Sequence, residues 1–338
     1  MPLPLIPIIV AGASVVSTAI AAKKGTDSYR NMKETKEIAK DLEKAYSAAY
    51  EKFESQKVAT NLSLEYCGEL KLNILDTTMH QFVETFQQIK NVSFDGQAIT
   101  EEFVADQDIE QLLVVMEKQV VEAGQVLKAG IASLASGGLA AMGALGATTT
   151  FAAASTGTTI ATLSGIAAQN ATLAFLGGGS LAAGGFGIAG GTMVLGGIAL
   201  APALAIGSLI FSASTEKKLN EMYERKAEVE VDIEKLKSAT NAMQAIKKTT
   251  NSLMRLATKL QNLFDIKIVQ MKNLIKHKGT DFSKYSFEEQ QLIYINYKAA
   301  VVMKEILNTT LLDSEGTLIP SIKMKIKELK SSMKELEG

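Results

Sequence analysis

The chain has 338 residues, of which 47% are hydrophobic and only 6% aromatic, and it contains no tryptophan. Its 35 basic and 36 acidic side chains nearly balance, so composition supplies no basic excess of the kind that nucleic-acid-binding proteins carry. The single cysteine, Cys67, excludes an intramolecular disulfide and fits a reducing compartment, with export of a disulfide-free protein left open.

Residues 1–25 predict an apolar N-terminal arm. Residues 1–22 carry no charge, but three early prolines interrupt any helix, and the remaining stretch is shorter than the roughly twenty residues that span a bilayer. The arm ends in small residues as a signal peptide does, yet no basic residue precedes it, and Lys23 and Lys24 follow it. An uncleaved membrane anchor is the alternative interpretation.

Residues 26–128 predict helical rods. From Thr26 to Lys90 there is no proline and only one glycine. Apolar residues recur there at helical spacing, namely Ile38, Leu42, Ala45, Ala49 and Phe53. A turn at 91–97 precedes a second helix that starts near Thr100. The region holds 11 basic and 19 acidic residues, so it would attract a basic neighbour.

The dominant feature is the interval from Ala129 to Thr215, whose 87 residues include no Asp, Glu, Lys, Arg or His. A soluble domain carries about one charged residue in four, so a gap of this length has a physical cause. The interval is long enough for several membrane spans of about twenty residues each. We interpret residues 129–215 as a hydrophobic helical hairpin region that inserts into a membrane, and burial inside a soluble bundle is the alternative.

Small residues recur at every fourth position in this interval. One series comprises Ser136, Ala140 and Ala144, and a second comprises Gly179, Ala183, Gly187 and Gly191. Residues four apart lie on nearly one face of a helix, so each series predicts a smooth groove for close helix packing. Three consecutive glycines, Gly177, Gly178 and Gly179, predict a hinge. Because glycine costs a water-exposed helix about 1 kcal/mol relative to alanine, this segment needs apolar surroundings.

Residues 216–278 predict one long helix with a coiled-coil face. A heptad-like spacing relates Leu219, Met222, Val229, Ile233, Leu236 and Met243, and Gly279 predicts the end of the helix. The second half is basic except for Asp265, so it either pairs with the acidic first rod or contacts anionic lipid headgroups. The candidates for headgroup contact are Lys247, Lys248, Arg255, Lys259, Lys272, Lys276 and Lys278.

Residues 279–338 predict a C-terminal helical cap. The sequence SFEE at 286–289 is a capping box, which predicts a helix that covers Leu292 to Leu307, and Pro320 precedes a last lysine-rich amphipathic helix. Almost nothing in the chain alternates with period two. The fold prediction is therefore all-α, with long antiparallel helical rods or a coiled coil that flank a Gly/Ala-rich hydrophobic hairpin.

The sequence offers little support for catalysis, and we predict no catalytic, cofactor or metal site. GFGIAG at 185–190 matches the dinucleotide fingerprint in letters but lacks the strand that must precede it. GGSLA at 178–182 departs from the nucleophile elbow at its last position. One cysteine and two separated histidines, His80 and His277, do not make a ligand set with zinc spacing.

The glycine-rich sequence from Phe151 to Gly207 resembles the glycine-zipper signature of a bacterial membrane protein family whose members are often labelled only as hypothetical or "chemotaxis" proteins. The opening MPLPLIPIIV, the AKKG junction and FVETFQQIKNVSF at 82–94 are also similar to that family. More distantly, the architecture resembles apolipoprotein L-like proteins and α-helical pore-forming toxins. The distant resemblance implies membrane insertion, with a lethal or defensive effector as one outcome.

These observations lead to one expectation of function and two alternatives. We expect a non-enzymatic protein that inserts its hairpin into a lipid membrane and forms a homo-oligomeric pore or lesion. The alternatives are a constitutive membrane scaffold that recruits protein partners through its coiled-coil rods, and a soluble signalling bundle. We expect it at a bacterial cytoplasmic membrane, or in the cytoplasm with conditional insertion, without a nucleic-acid partner.

Overall fold

The computed structural model describes residues 22–94, 109–129, 216–312 and 317–336, and these residues are almost entirely helical. The elements in chain order are α1 (Ala22–Ile74), a π-helical turn (Leu75–Met79), α2 (His80–Phe86), α3 (Ile109–Ala129), α4 (Glu216–Lys278), a 3-10 turn (Phe282–Lys284), α5 (Phe287–Asn308) and α6 (Ile322–Lys334). The two β-bridges found in the described ranges are isolated, Lys90 with Asp281 and Leu312 with Leu318. The all-α prediction is confirmed.

The helix ends follow the predicted signals. Gly279, with a φ of 84°, ends α4 in the left-handed conformation that glycine adopts without strain. The capping box before α5 is complete, because the Ser286 hydroxyl accepts from the Glu289 backbone N–H at 3.3 Å and the Glu289 carboxylate accepts from the Ser286 N–H at 2.8 Å. Pro320 lies two residues before α6.

The chain forms two compact units, and α1 and α4 each contribute to both. The described part of unit 1 consists of residues 22–56 and 216–241. Its buried side chains come from both helices, with Ala39, Leu42 and Phe53 on α1 and Met222, Val229 and Leu236 on α4 among them. Unit 1 therefore pairs about the first two thirds of α1 with about the first two fifths of α4.

A strict seven-residue repeat underlies the buried face of both long helices. Every seventh residue of α4 is buried, namely Met222, Val229, Leu236, Met243, Thr250, Ala257, Phe264 and Met271. The same holds on α1 for Ala39, Tyr46, Phe53, Thr60, Cys67 and Ile74. Such a repeat keeps one seam buried along coiled-coil helices, which confirms the heptad prediction for α4. On α1, however, Ala45 is exposed, so the predicted seam was misplaced at that residue.

The prediction that the rods are antiparallel is wrong for α1 and α4. In unit 1 the Tyr223 hydroxyl donates to the Glu34 carboxylate at 2.5 Å. Burial raises the pKa of Tyr46, and the nearby Asp232 carboxylate raises it further. In unit 2 the Ser63 hydroxyl donates to Asn251 at 2.8 Å, and Lys272 donates to Gln81 at 2.8 Å. Residue numbers rise together along both helices, so the pair is parallel. A heptad pattern specifies which face is buried, not the direction of the neighbouring helix.

The described part of unit 2 is a helical bundle of residues 57–94, 109–129, 242–312 and 317–336. Helix α3 runs opposite to α1 and α2, because Gln87 donates to Glu117 at 3.1 Å and Gly124 lies next to Asp76. Two ion pairs join α5 and α6, Lys298 with Glu335 at 2.7 Å and Lys325 with Glu305 at 2.9 Å. Residue numbers rise along α5 as they fall along α6, so the two helices are antiparallel. Unit 2 thus mixes both helix directions around one core.

Aromatic side chains close one end of this bundle. Phe264 of α4 lies 5.4 Å from Phe82, measured between ring centroids, and Phe94 lies 5.2 to 5.8 Å from Tyr294, Tyr297 and Phe282. Asp281 fixes the adjoining turns by accepting from Asn91 at 3.0 Å and from the Ser283 hydroxyl at 2.8 Å. These hydrogen bonds hold the pKa of the Asp281 carboxyl down at about 2.

Candidate functional site

The parallel pairing brings the starts of α1 and α4 to the same end of unit 1. Glu34 lies 12 residues after Ala22 and Tyr223 lies 7 residues after Glu216, which at 1.5 Å per residue is about 18 Å and about 10 Å of helix. The hydrogen bond between Glu34 and Tyr223 therefore places the two helix starts within about 8 Å of the same level. We call this the start end of unit 1, defined by residues 29–34 and 219–223.

Each helix that begins at the start end follows a stretch without charge. Residues 1–22 precede the charged part of α1, and residues 129–215 precede α4. Sequence predicts membrane insertion for the second stretch, and a membrane anchor is the alternative interpretation of the first. The parallel pair therefore brings the points where the two stretches join α1 and α4 to one end of one unit, although the stretches are separated by more than one hundred residues of chain.

Four of the five exposed side chains at the start end are aromatic or basic, and the fifth is Asn220. Tyr29 is 66% exposed and Tyr223 is 44% exposed, and Arg30 and Lys33 are exposed beside them on α1. Tyrosine and basic residues are enriched where a protein crosses from water into lipid, because the ring is amphipathic and the cation meets anionic headgroups. Sequence reasoning missed these four residues. The signal was present as tyrosine and basic residues just after an uncharged stretch.

The seven predicted headgroup residues are spread along and around α4 rather than gathered in one cluster. Lys247 is half-buried and the other six are exposed. From Lys247 to Lys278 the helix is about 46 Å long at 1.5 Å per residue. Lys272 donates to Gln81 at 2.8 Å, and Lys278 lies 3.5 Å from the Glu289 carboxylate. The structure therefore does not gather them into a single lipid-binding patch.

The predicted packing and hinge residues fall outside the described part of the chain. These are Ser136, Ala140, Ala144, Gly177, Gly178, Gly179, Ala183, Gly187 and Gly191. Across residues 22–94, 109–129, 216–312 and 317–336, no helix has both the length and the apolar composition that a membrane span requires. The described helices thus border the uncharged interval without including it.

The titratable groups singled out by sequence lie apart from one another. His80 is exposed, and its Nε2 atom lies 3.4 Å from Oε1 of Glu84. His277 is exposed near the end of α4. Cys67 is buried, and burial raises the pKa of its thiol. Within the described ranges no group of three His, Cys, Asp or Glu residues could hold a metal ion.

One buried cation lies deep in unit 2. Lys71 is only 2% exposed, and its ammonium group donates to the Thr309 carbonyl at 3.3 Å. Thr309 follows the last residue of α5, so the lysine binds at the carbonyl end of that helix, where the helix dipole favours a cation. Burial lowers the pKa of Lys71. The contact of Lys71 with the carbonyl end of α5 explains why a lysine is buried in this core.

Comparison with protein-family models, with curated proteins and with solved structures finds no match to this chain.

Proposed function

We propose that this protein acts on lipid membranes without catalysing a reaction, by placing the start end of unit 1 against a bilayer and inserting the uncharged interval 129–215. Copies then pack through the small-residue series and form a pore or lesion. The observation that carries this proposal is the parallel pairing of α1 and α4, which brings two uncharged stretches to one end. Tyr29, Arg30, Lys33 and Tyr223 at that end have the chemistry of a membrane interface.

The physical basis for insertion of the uncharged interval is the hydrophobic effect. Apolar surface gains about 25 cal/mol for each Å² removed from water, and a bilayer provides that environment without requiring a protein partner. Glycine and alanine at every fourth position then allow backbones to approach closely once they are in lipid. The bundle of unit 2, with its aromatic end and continuous core, is the folded support from which the uncharged interval extends along the chain.

Dye release from vesicles tests the proposal, with flotation of the same sample as the measure of binding. We expect the full chain to float with vesicles that contain anionic lipid and to release a small entrapped dye. Flotation without release would instead indicate the membrane scaffold. The absence of both flotation and dye release would contradict a membrane function.

Paired substitutions separate packing from binding. Gly187→Leu with Gly191→Leu blocks one small-residue series, so we expect dye release to fall at least tenfold while flotation changes less than twofold, because leucine remains apolar but prevents close backbone approach. Gly185→Leu with Ala189→Leu is the matched control, two residues out of register with the series. Equal loss of release in both double variants would argue against packing through the series.

A further inference from the structure

Helix α3 carries an outward face on which acidic and apolar residues alternate. Glu110, Val114, Glu117 and Val121 are spaced by four, three and four residues, so they lie on one side of the helix. All four are exposed, Val114 to 64% and Val121 to 51%. The opposite side is buried in the core of unit 2 through Leu112, Met116, Val120 and Ala123. We call the outward residues the α3 face.

The valines of the α3 face stabilise neither the core nor the helix. Valine has a lower helix propensity than the alanine, lysine or glutamate that usually fill exposed positions. Single exposed apolar residues are common, but two on one face, each one turn after a glutamate, form the anchor spacing of a helix that binds in a groove. The pattern therefore indicates a partner with an apolar groove bordered by basic residues.

A surface of that description lies on α1 and α4 of unit 2. Val58, Leu62 and Tyr66 follow one another at four-residue spacing on α1 and are 56%, 59% and 61% exposed. Beside Tyr66 runs a groove of about 510 Å³ between α1 and α4. Its lining includes Leu70 of α1 and Asn251, Met254, Arg255 and Lys259 of α4. We call this surface the α1/α4 groove.

The charges of the two surfaces are complementary and equally spaced. Lys248 and Arg255 are exposed on the groove side of α4, seven residues apart. Glu110 and Glu117 are also seven residues apart, and seven residues of helix extend about 10.5 Å in either case. Two helices laid side by side in opposite directions can therefore pair Glu117 with Lys248 and Glu110 with Arg255, while the valines contact the exposed apolar residues of α1. Complementary charge of this kind fixes register and orientation more than affinity.

The α3 face of one copy does not meet the groove of the same copy. Helix α3 is held by Gln119, which donates to Asn308 of α5 at 3.1 Å, and by contacts with the π-helical turn and α2. Its outward face points away from the shared core, and the groove opens on the outer side of α1 and α4. Only a second molecule can bring the two surfaces together.

We infer that this chain self-associates head to tail, with the α3 face of each copy bound in the α1/α4 groove of the next. The two surfaces differ, so the contact is heterologous and a joined pair keeps one free surface of each kind, which produces a ring or a filament. The use of this assembly rests on the membrane function proposed above, but the contact is a property of folded unit 2 and can be measured without a membrane.

Mixed disulfide formation tests the contact directly. In a Cys67→Ser background, which removes the one native thiol, one chain carries Val58→Cys and a second carries Val121→Cys. We expect oxidation of the mixture to yield the mixed dimer at least fivefold above either chain alone, because a disulfide requires Cβ atoms about 4 Å apart. Met324→Cys, at a site on α6 that is 64% exposed, replaces Val58→Cys as the matched control. A mixed dimer no more abundant than this control would overturn the inference.

Charge exchange provides a second test that does not depend on disulfide geometry. Lys248→Glu or Glu117→Arg alone should weaken association of the full chain in nonionic detergent roughly tenfold, measured by sedimentation velocity, because like charges then meet in the interface. The double variant should recover association to within about threefold of the original chain, since the pair is restored with its signs reversed. Failure of the double variant to recover, with circular dichroism unchanged, would contradict the inference.

The two proposals fail in different ways. Self-association without dye release would uphold the contact and count against the pore. Release that persists without the mixed disulfide would uphold the membrane function and overturn the contact. If Leu62→Glu lowers flotation while sedimentation is unchanged, the groove binds lipid rather than a second copy.

Discussion

Lys71 shows how a single residue links burial to the pH dependence of stability. Its ammonium group is buried against the Thr309 carbonyl, and burial lowers its pKa from the ordinary value of about 10.4. Between the lowered pKa and about 10.4 the unfolded chain binds more protons than the folded one, so the free energy of unfolding rises with pH. The stabilising contribution of uncharged Lys71 to the free energy of unfolding is complete above about pH 10.4 and is lost as pH falls through the lowered pKa.

Replacement of Lys71 by methionine should therefore flatten this dependence. We expect the increase in the free energy of unfolding between pH 7 and pH 9.5 to be smaller in Lys71→Met than in the original chain, as measured by urea unfolding. Lys52→Met, at an exposed site on the same helix, is the control and should leave the increase unchanged. The same pH dependence in Lys71→Met and the original chain would show that the buried ammonium does not cause it.

At the scale of elements, α4 provides a matched pair of sites for measuring its core contribution. Phe264 is fully buried against Phe82, whereas Ile266, two residues away, is 59% exposed. We expect Phe264→Ala to lower the free energy of unfolding by about 3 to 5 kcal/mol, since it leaves a cavity, and Ile266→Ala by less than about 1 kcal/mol. Urea unfolding monitored by circular dichroism measures both. Similar losses at the two sites would contradict the assigned orientation of α4.

The sequence predicts the elements well because their signals are local. The heptad of α4, the capping box at Ser286 and the end of α4 at Gly279 each depend on residues within a few positions of one another. The second helix was expected from near Thr100, a position outside the described residues, and α3 is described from Ile109 onward. The π-helical turn at Leu75–Met79 was missed. In that turn Thr78 donates to Asp265 of α4 at 2.7 Å, a contact across 187 residues of chain that no local pattern encodes.

The same limit applies to the candidate site. The parallel direction of α1 and α4 is visible only in contacts between residues nearly 190 positions apart, and periodicity carries no information on such contacts. Tyr29 and Tyr223 are exposed at the start end, but only the contact between Glu34 and Tyr223 shows that the two tyrosines belong to one surface. Sequence identified the uncharged interval, and structure showed which helix starts lie together.

At the scale of the whole molecule, the two proposals involve different parts of the chain. Unit 1 brings together the starts of two helices that follow uncharged stretches, and unit 2 is a packed bundle that carries the two surfaces proposed to join copies. In the proposed membrane function, the uncharged interval provides the apolar surface that enters the bilayer. Membrane insertion and assembly are therefore separable properties, which is why each proposal has its own experiment.

The central claim is that the start end of unit 1 meets the membrane. Site-specific quenching tests it most directly, with an environment-sensitive fluorophore attached to Tyr29→Cys, Asn220→Cys or Ser283→Cys in a Cys67→Ser background, and with vesicles that contain a lipid-borne quencher. Residues 29 and 220 lie at the start end and residue 283 follows the opposite end of α4, and all three are exposed. We predict strong quenching at 29 and 220 and little at 283. Equal quenching at all three sites, or quenching at 283 alone, would contradict the claim.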